Sequence, residues 1–275
     1  MAKTIIDANK SILSLNLREL VEYKDLFRTL AYRDFKVKYA QTFMGLAWAF
    51  IQPFMTLIVF GLVFNRGLQL DTGNVPYILF AACGLTAWTY FSSVMGQAGT
   101  SIIGAQSMVQ KVYFPRLVIP LSKAVVGLID FGITLMIIFV LMLFHQYPPS
   151  PNLIFLPFFI LVAIVAALGV GIWLSALTIR YRDFQHIIPF LVRFGMFVTP
   201  VAYPASLLVD RIPNWALILY YLNPIAGIID GFRWSILGTE PPNVLTYVSF
   251  AVVLLLFVTS LFYFKKVERT ISDII

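Results

Sequence analysis

Long uncharged stretches of apolar residues alternate with short polar and basic segments along most of the chain. A helix needs about 20 apolar residues to cross the hydrocarbon core of a bilayer. The pattern therefore predicts an all-α integral membrane protein with six transmembrane helices, in which residues 40–275 form a single transmembrane domain. The predicted spans are approximately residues 46–64, 77–97, 117–144, 153–179, 187–203 and 244–264.

The region between the fifth and sixth spans, 204–240, is apolar in its middle but is interrupted by Pro213 and Pro224. Two interpretations are open: a seventh span, or two short re-entrant helices that enter the membrane from the outer face and return to it. Proline cannot donate a backbone hydrogen bond inside a helix, so it favours short helices. We expect the re-entrant arrangement, because a seventh span would move the basic residues after the last span to the outer side.

The first forty residues are more polar than the rest of the chain. Residues 1–17 form a mixed tail without the apolar core of a signal peptide, so we expect no cleaved leader. From 18 to 39, apolar residues recur at helical spacing among basic ones. This pattern predicts an amphipathic helix in the membrane interface, with an ordinary soluble helix as the alternative.

Composition supports the membrane class. Of the 275 residues, 60% are hydrophobic and 12% are charged, too few charges to cover a water-facing surface. The net charge of +7 does not indicate a nucleic-acid partner, because the basic residues cluster beside apolar segments. With both termini in the cytoplasm, all of the 20 Lys and Arg residues except Arg66, Arg211 and Arg233 lie on the inner side, as positive-inside topology requires.

The residues that common enzyme and metal chemistry needs are missing from the sequence. It has no G-x-x-x-x-G-K-[ST] loop for ATP, no pair of acids within a span, and a single cysteine, Cys83. The topology places His145 and His186 at opposite faces of the membrane, where they cannot share a metal. We therefore expect a protein that is not an enzyme and carries no metal or cofactor of its own.

Two predicted spans carry charges at depth, with Asp130 inside the third and Arg193 inside the fifth. Ionisable groups at membrane depth are costly and are usually paired or functional. Both residues lie some 10–14 positions past a cytoplasmic exit, so their depths are similar. The sequence predicts a buried Asp130–Arg193 ion pair, with direct contact to a substrate as the alternative.

Four blocks of sequence, taken in order, resemble the membrane permeases of ABC exporters for O-antigen, teichoic acid and capsular polysaccharide. The blocks are Tyr32–Tyr39 with the following Gln52-Pro53, Lys111–Arg116, Arg180–Asp183, and Pro200–Trp234. The resemblance implies a homodimer in the bacterial inner membrane, driven by two copies of a separate ATPase that bind ATP and Mg²⁺. It also implies export of a glycan on an undecaprenyl-pyrophosphate lipid, most often O-antigen, by six spans and two short re-entrant helices.

The role implied by this resemblance suggests four groups of site residues. Arg33, Lys36 and Lys38 are placed to bind the pyrophosphate anchor, although they also fit plain positive-inside anchoring. Trp88, Tyr90, Phe91, Phe190, Phe194 and Phe197 are candidates to stack on sugar rings in the channel, although most aromatics must face lipid or the core. Trp215, Tyr220, Tyr221 and Leu222 are candidates for an outer hydrophobic gate. Lys111, Tyr113, Phe114, Arg116, Arg180, Arg182 and Asp183 lie in two short cytoplasmic segments predicted to dock on the ATPase.

Two other functions remain open from the sequence. An ABC permease for a smaller lipid or drug shares the general hydropathy pattern. A membrane enzyme of glycan assembly is less compatible, because it needs acidic residues near its sugar site.

Overall fold

The computed structural model describes residues 17–40, 44–67, 70, 72–205, 207 and 213–269. The predicted N-terminal tail lies outside this part of the chain except for Leu17. Every regular element of the described part is a helix. This confirms the all-α class, in which each helix satisfies its own backbone hydrogen bonds.

The described residues form eleven α-helices. They are α1 (Leu17–Glu22), α2 (Lys24–Tyr39), α3 (Ala47–Phe60), α4 (Tyr77–Gly104), α5 (Gln106–Lys111), α6 (Val118–Phe144), α7 (Leu156–Arg180), α8 (Phe184–Val198), α9 (Asn214–Tyr221), α10 (Ala226–Leu237) and α11 (Thr246–Glu268). A π-helical turn, Gly61–Gly67, continues α3, and a 3-10 turn, Pro151–Phe155, leads into α7.

Five helical segments are long and apolar enough to cross a membrane: Ala47–Gly67, Tyr77–Gly104, Val118–Phe144, Pro151–Arg180 and Thr246–Glu268. They coincide with five of the six predicted spans to within a few residues at most ends. The exception is the second span, predicted to end near Gln97, because α4 continues to Gly104. The small residues Gly99 and Ser101 are buried here, so what looked like a polar loop is a packed continuation of the helix.

The remaining predicted span, 187–203, forms a shorter helix. α8 has 15 residues and ends at Val198, just before Pro200. A helix of this length reaches about 22 Å, which is less than the ~30 Å of a hydrocarbon core. The sequence therefore overestimated how far this helix extends, because the apolar residues beyond Val198 belong to a turn.

Two short helices follow where the sequence places its proline-interrupted region. Pro213 caps α9 and Pro224 lies in the turn before α10, and the two helix axes meet at 83°. Taken together as one bent segment, they make a sixth apolar element of spanning length.

α4 lies at the centre of the bundle. It packs against α6 on one side and α7 on the other, α7 packs against α11, and α10 fits among α4, α7 and α11. An aromatic row, Tyr90–Phe131–Phe232, joins α4, α6 and α10 through edge-on contacts of 5.7 Å between ring centroids. Such contacts hold helices together in a bilayer, where lipid tails remove most of the hydrophobic drive for association.

Candidate functional site

Two ion pairs join α2 to α6. The Asp34 carboxylate pairs with Lys123, and the Lys38 ammonium pairs with Asp130. Asp34 and Lys38 are one turn apart on α2, and Lys123 and Asp130 are two turns apart on α6, so each pair lies on a single helix face. We call these two pairs the ion-pair ladder. It holds the predicted interfacial helix against α6 over its last turns.

The ladder places its second pair deep along α6. Asp130 is twelve residues from Val118, or about 18 Å along the helix axis. The Tyr39 hydroxyl also donates to the Asp130 carboxylate. Burial and the neighbouring Asp130 raise the pKa of Tyr39 above its ordinary value, so its hydroxyl keeps its proton at physiological pH.

The structure gives Asp130 partners different from the predicted Arg193. Arg193 is exposed on α8, whereas its neighbour Val192 lines a cavity shared with Asp130. Consecutive helix residues point about 100° apart, and Asp130 is paired instead with Lys38 and Tyr39 of α2. A similar distance from the predicted cytoplasmic ends of two helices does not determine the direction in which a side chain points.

The three cations proposed for the pyrophosphate anchor do not form one cluster. Arg33 and Lys36 are exposed on α2, with Arg33 donating to the adjacent Asp34. Lys38 is engaged by Asp130. Only Arg33 and Lys36 are therefore placed to meet an anion at the surface.

The six channel candidates also divide into two groups. Trp88, Tyr90 and Phe91 are at most 5% exposed and serve helix packing within the chain. The Trp88 ring lies so close to Gly195 of α8 that a Cβ there would come within 2.5 Å of it. These three side chains do not line an open channel in this conformation.

Phe190, Phe194 and Phe197, in contrast, form an exposed row along α8, each more than half exposed. The rings of Phe190 and Phe194 lie 4.2 Å apart between centroids, with an angle of 30° between their planes. An aromatic row of this kind can meet lipid, a second protein surface or a sugar ring.

The two predicted coupling segments lie at the ends of neighbouring helices. Lys111 ends α5 and Tyr113 follows it, and both are exposed. Arg180 ends α7, Arg182 and Asp183 follow before α8, and all three are exposed. Phe114 is buried and anchors its segment in the bundle.

Arg116 is held by the end of α11. Its backbone N–H donates to the Glu268 carboxylate at 3.0 Å, and its guanidinium donates to the Glu268 carbonyl oxygen at 2.6 Å. Arg116 is therefore a structural link between two segments and is not freely available to a partner.

The predicted outer-gate residues differ in exposure. Trp215 and Leu222 are exposed, Tyr220 is half-buried, and Tyr221 is buried with its hydroxyl donating to Asp230 at 2.9 Å. Tyr221 thus helps to fix the bend between α9 and α10. Of the four residues, Trp215 and Leu222 have the exposure that a gate requires.

Three residues with clear structural roles were missed by the sequence argument: Lys123, Arg233 and Glu268. Arg233 is buried with its guanidinium 3.5 Å from the centroid of Phe80, and it donates to the Val201 carbonyl oxygen at 2.8 Å. The predicted topology assigns it to an outer segment, as an exception to the positive-inside pattern. Lys123 carried a usable signal, because it is a charge inside a predicted span, as Asp130 is.

These observations define a class of protein: a polytopic α-helical membrane protein with exposed polar segments between its apolar helices. Within the described residues there is no group of side chains suited to hold a metal. A protein-family model described as "ABC-2 type transporter" matches residues 25–237. The chain belongs to this family, and the resemblance found in its motifs is confirmed at that level.

Relatives match along nearly the whole chain. An O-antigen export system permease protein RfbA from Myxococcus xanthus is 29% identical over 257 residues, which cover 92% of this chain and 96% of the relative. Two proteins of the same description from Klebsiella pneumoniae are 25% and 24% identical, each covering 91% of this chain and 95% of the relative.

Proposed function

We propose that this chain is the transmembrane permease subunit of an ABC exporter that moves a polysaccharide on an undecaprenyl-pyrophosphate lipid, most specifically O-antigen, across the bacterial inner membrane. The observation that carries the proposal is the end-to-end match to O-antigen export permeases within the ABC-2 type family. The role in transport needs ATP from a separate ATPase, since the sequence contains no P-loop.

The proposal includes a homodimer bound to two ATPase copies. In support, the faces of α3 and α8 are largely exposed in the single chain. These two helices are the natural candidates to enclose a path between two copies. The exposed row Phe190, Phe194 and Phe197 would then offer flat apolar faces to passing sugar rings without fixing one linkage.

The proposed topology has both termini in the cytoplasm, α2 at the inner interface, and α9 and α10 as a re-entrant pair at the outer face. α8 would serve as the fifth span, shorter than the others. The charge distribution supports this arrangement, because the basic ends of α7 and α11 then face the cytoplasm. Arg33 and Lys36 would attract the pyrophosphate at the inner surface.

Deletion of the gene in its native host tests the function. We expect surface polysaccharide to be lost and lipid-linked glycan to accumulate inside the cell, with both reversed by the wild-type gene. A permease for a smaller lipid or drug predicts unchanged surface polysaccharide, and this result would overturn the proposal.

Cysteine labelling tests the topology. In a Cys83→Ala background, Asn243→Cys and Gln146→Cys should react with an impermeant thiol reagent from outside, and Arg182→Cys should react only after the membrane is opened. Labelling of Asn243→Cys only from the cytoplasmic side would make the α9–α10 segment a true span.

A further inference from the structure

A cavity of about 310 Å³ lies between the end of α2 and the helices α3, α4 and α6. Thr89 of α4 is on its wall, twelve residues or about 18 Å along the helix from Tyr77. The cavity is therefore near the middle of a predicted span. Polar walls at such a depth are costly unless they serve packing or bind something.

The walls carry hydroxyl and amide groups. Gln52 of α3 and Thr89 and Ser93 of α4 line the space. Gln52 and Thr89 are exposed, and within the described part of the chain neither side chain is hydrogen-bonded to another residue. Their donors and acceptors are thus available to a ligand, whereas Thr56 and Thr134 beside them bond to carbonyls of their own helices.

The cavity also has an aromatic side and a neutral charge balance. Trp48 lies on its wall and is half exposed. Lys38 and Asp130 both line the space, but they neutralise each other. An anionic group such as a phosphate would have to displace Asp130, whereas an uncharged polyhydroxylated ring would not.

We propose that this cavity is a subsite for neutral sugar rings, which pairs wall hydroxyls and the Gln52 amide with ring hydroxyls and offers Trp48 to an apolar ring face. Its volume corresponds to about ten molecules of liquid water, which is the space of roughly one or two pyranose rings. The inference deepens the proposed function and rests on it: the exporter would hold the glycan in each chain at a place apart from the phosphate-binding cations Arg33 and Lys36.

Filling the cavity tests the subsite. Thr89→Trp adds bulk at an exposed position, so it does not disturb the packed side of α4. Thr89→Val keeps the shape and removes only the hydroxyl. The matched control is Met136→Trp, because Met136 is 59% exposed on α6 and does not line the cavity.

Surface polysaccharide is measured in cells that lack the chromosomal gene and carry each variant. We expect surface polysaccharide to fall about tenfold for Thr89→Trp, because the added ring excludes the sugar and its one or two hydrogen bonds, which together change a binding constant about tenfold. The loss for Thr89→Val should be smaller, because only one hydroxyl is removed. Met136→Trp should export normally. If Thr89→Trp does not accumulate in the membrane, surface polysaccharide is measured instead for the double variant Thr89→Val with Gln52→Leu, which adds no bulk to the helix packing. A loss supports the subsite, and normal export overturns it.

Direct occupancy is measured by labelling Thr89→Cys in a Cys83→Ala background with a small methanethiosulfonate reagent in the purified complex. Lipid-linked glycan should slow this reaction about tenfold, while the pyrophosphate lipid without sugar should not, and labelling of Met136→Cys should not change. Protection by the sugar-free lipid would instead make the cavity an anchor site and overturn the inference.

The outcomes separate the two proposals. If the wild-type gene does not restore surface polysaccharide, the proposed function fails. If the wild type restores it and Thr89→Trp exports as well as Met136→Trp, only the sugar subsite fails.

Discussion

α3 and α4 are both apolar helices of spanning length, yet their environments differ sharply. In the most apolar 18-residue stretch of each, 11% of residues are buried for α3 with its π-helical continuation and 83% for α4. The more buried of the two is the less apolar one. In a soluble protein the reverse is expected.

The difference follows from what surrounds a membrane protein. Lipid is as apolar as leucine, so apolarity alone does not draw a helix into the interior, whereas small residues let backbones approach. α4 is rich in Gly, Ala, Ser and Thr and packs against several helices. α3 is rich in large apolar side chains that remain exposed. Its exposed face is available to lipid or to a second copy of the chain.

The largest loss of folding stability is expected at Gly231, where the packing leaves no space for a side chain. A Cβ at Gly231 of α10 would lie 1.9 Å from the Phe159 ring of α7. Gly231→Leu should therefore destabilise the protein by more than about 3 kcal/mol and reduce the folded yield. Gly132→Leu on α6 is the control, since a Cβ there meets no atom within 4 Å. Thermal unfolding in detergent compares the two, and equal stability would contradict the packing described here.

The buried and the exposed aromatic residues extend this comparison between packed and exposed helices. Trp88→Ala removes a buried ring and should cost about 3–5 kcal/mol of folding stability. Phe194→Ala removes an exposed ring on α8, so it should leave stability nearly unchanged and lower export. Melting temperature and surface polysaccharide are measured for both variants. A stability loss for Phe194→Ala as large as that for Trp88→Ala would show that the two groups are not distinct.

The ion-pair ladder predicts an intermediate effect. Asp34 and Lys123 are each 14% exposed. Lys123→Met leaves the poorly solvated Asp34 carboxylate with only the half-exposed Arg33 as a cation, so it should cost up to about 3 kcal/mol. The swap Asp34→Lys with Lys123→Asp should recover much of the loss. Arg18→Met breaks an exposed pair with Glu22 and should change stability by less than about 1 kcal/mol. No recovery in the swapped variant would argue against the pairing.

The smallest effect on stability is expected in the exposed coupling segments. Lys111→Glu with Arg182→Glu should leave folding unchanged but weaken co-purification with the ATPase and abolish substrate-stimulated ATP hydrolysis. Arg116 is unsuitable for this test, because its substitution also breaks the contacts with Glu268. Normal coupling in the double variant would remove both segments from the proposed ATPase interface.

The sequence was sufficient for the elements that depend on length and apolarity. It located five segments long and apolar enough to span a membrane, and it placed the start of α9 at Pro213 and the break between α9 and α10 at Pro224. It did not find the continuation of α4 through Gly99 and Ser101, because small residues are equally typical of polar turns and of close helix packing.

The contacts in the candidate site depend on the direction in which each side chain points, and hydropathy does not encode that direction. Asp130 was recognised as a charge at depth, but its partners come from α2, about 90 positions earlier in the chain. Arg233 was placed in an outer segment by the predicted topology, but the sequence did not show that the folded bent pair brings it onto the carbonyl oxygens of Phe80 and Val201. Such contacts arise only from three-dimensional packing.

The ion-pair ladder has a mechanical consequence for α3. The ladder joins α2 to α6 close to the last residue of α2. The chain that continues towards α3 therefore begins at a residue held against α6. Gly45 follows with a left-handed backbone, φ +48°, which other residues rarely adopt. The opposite end of α3 unwinds into the π-helical turn Gly61–Gly67, none of which is buried. The end of α3 nearest the ladder thus follows a segment held by ion pairs, whereas the end farthest from the ladder has no buried residue to hold it.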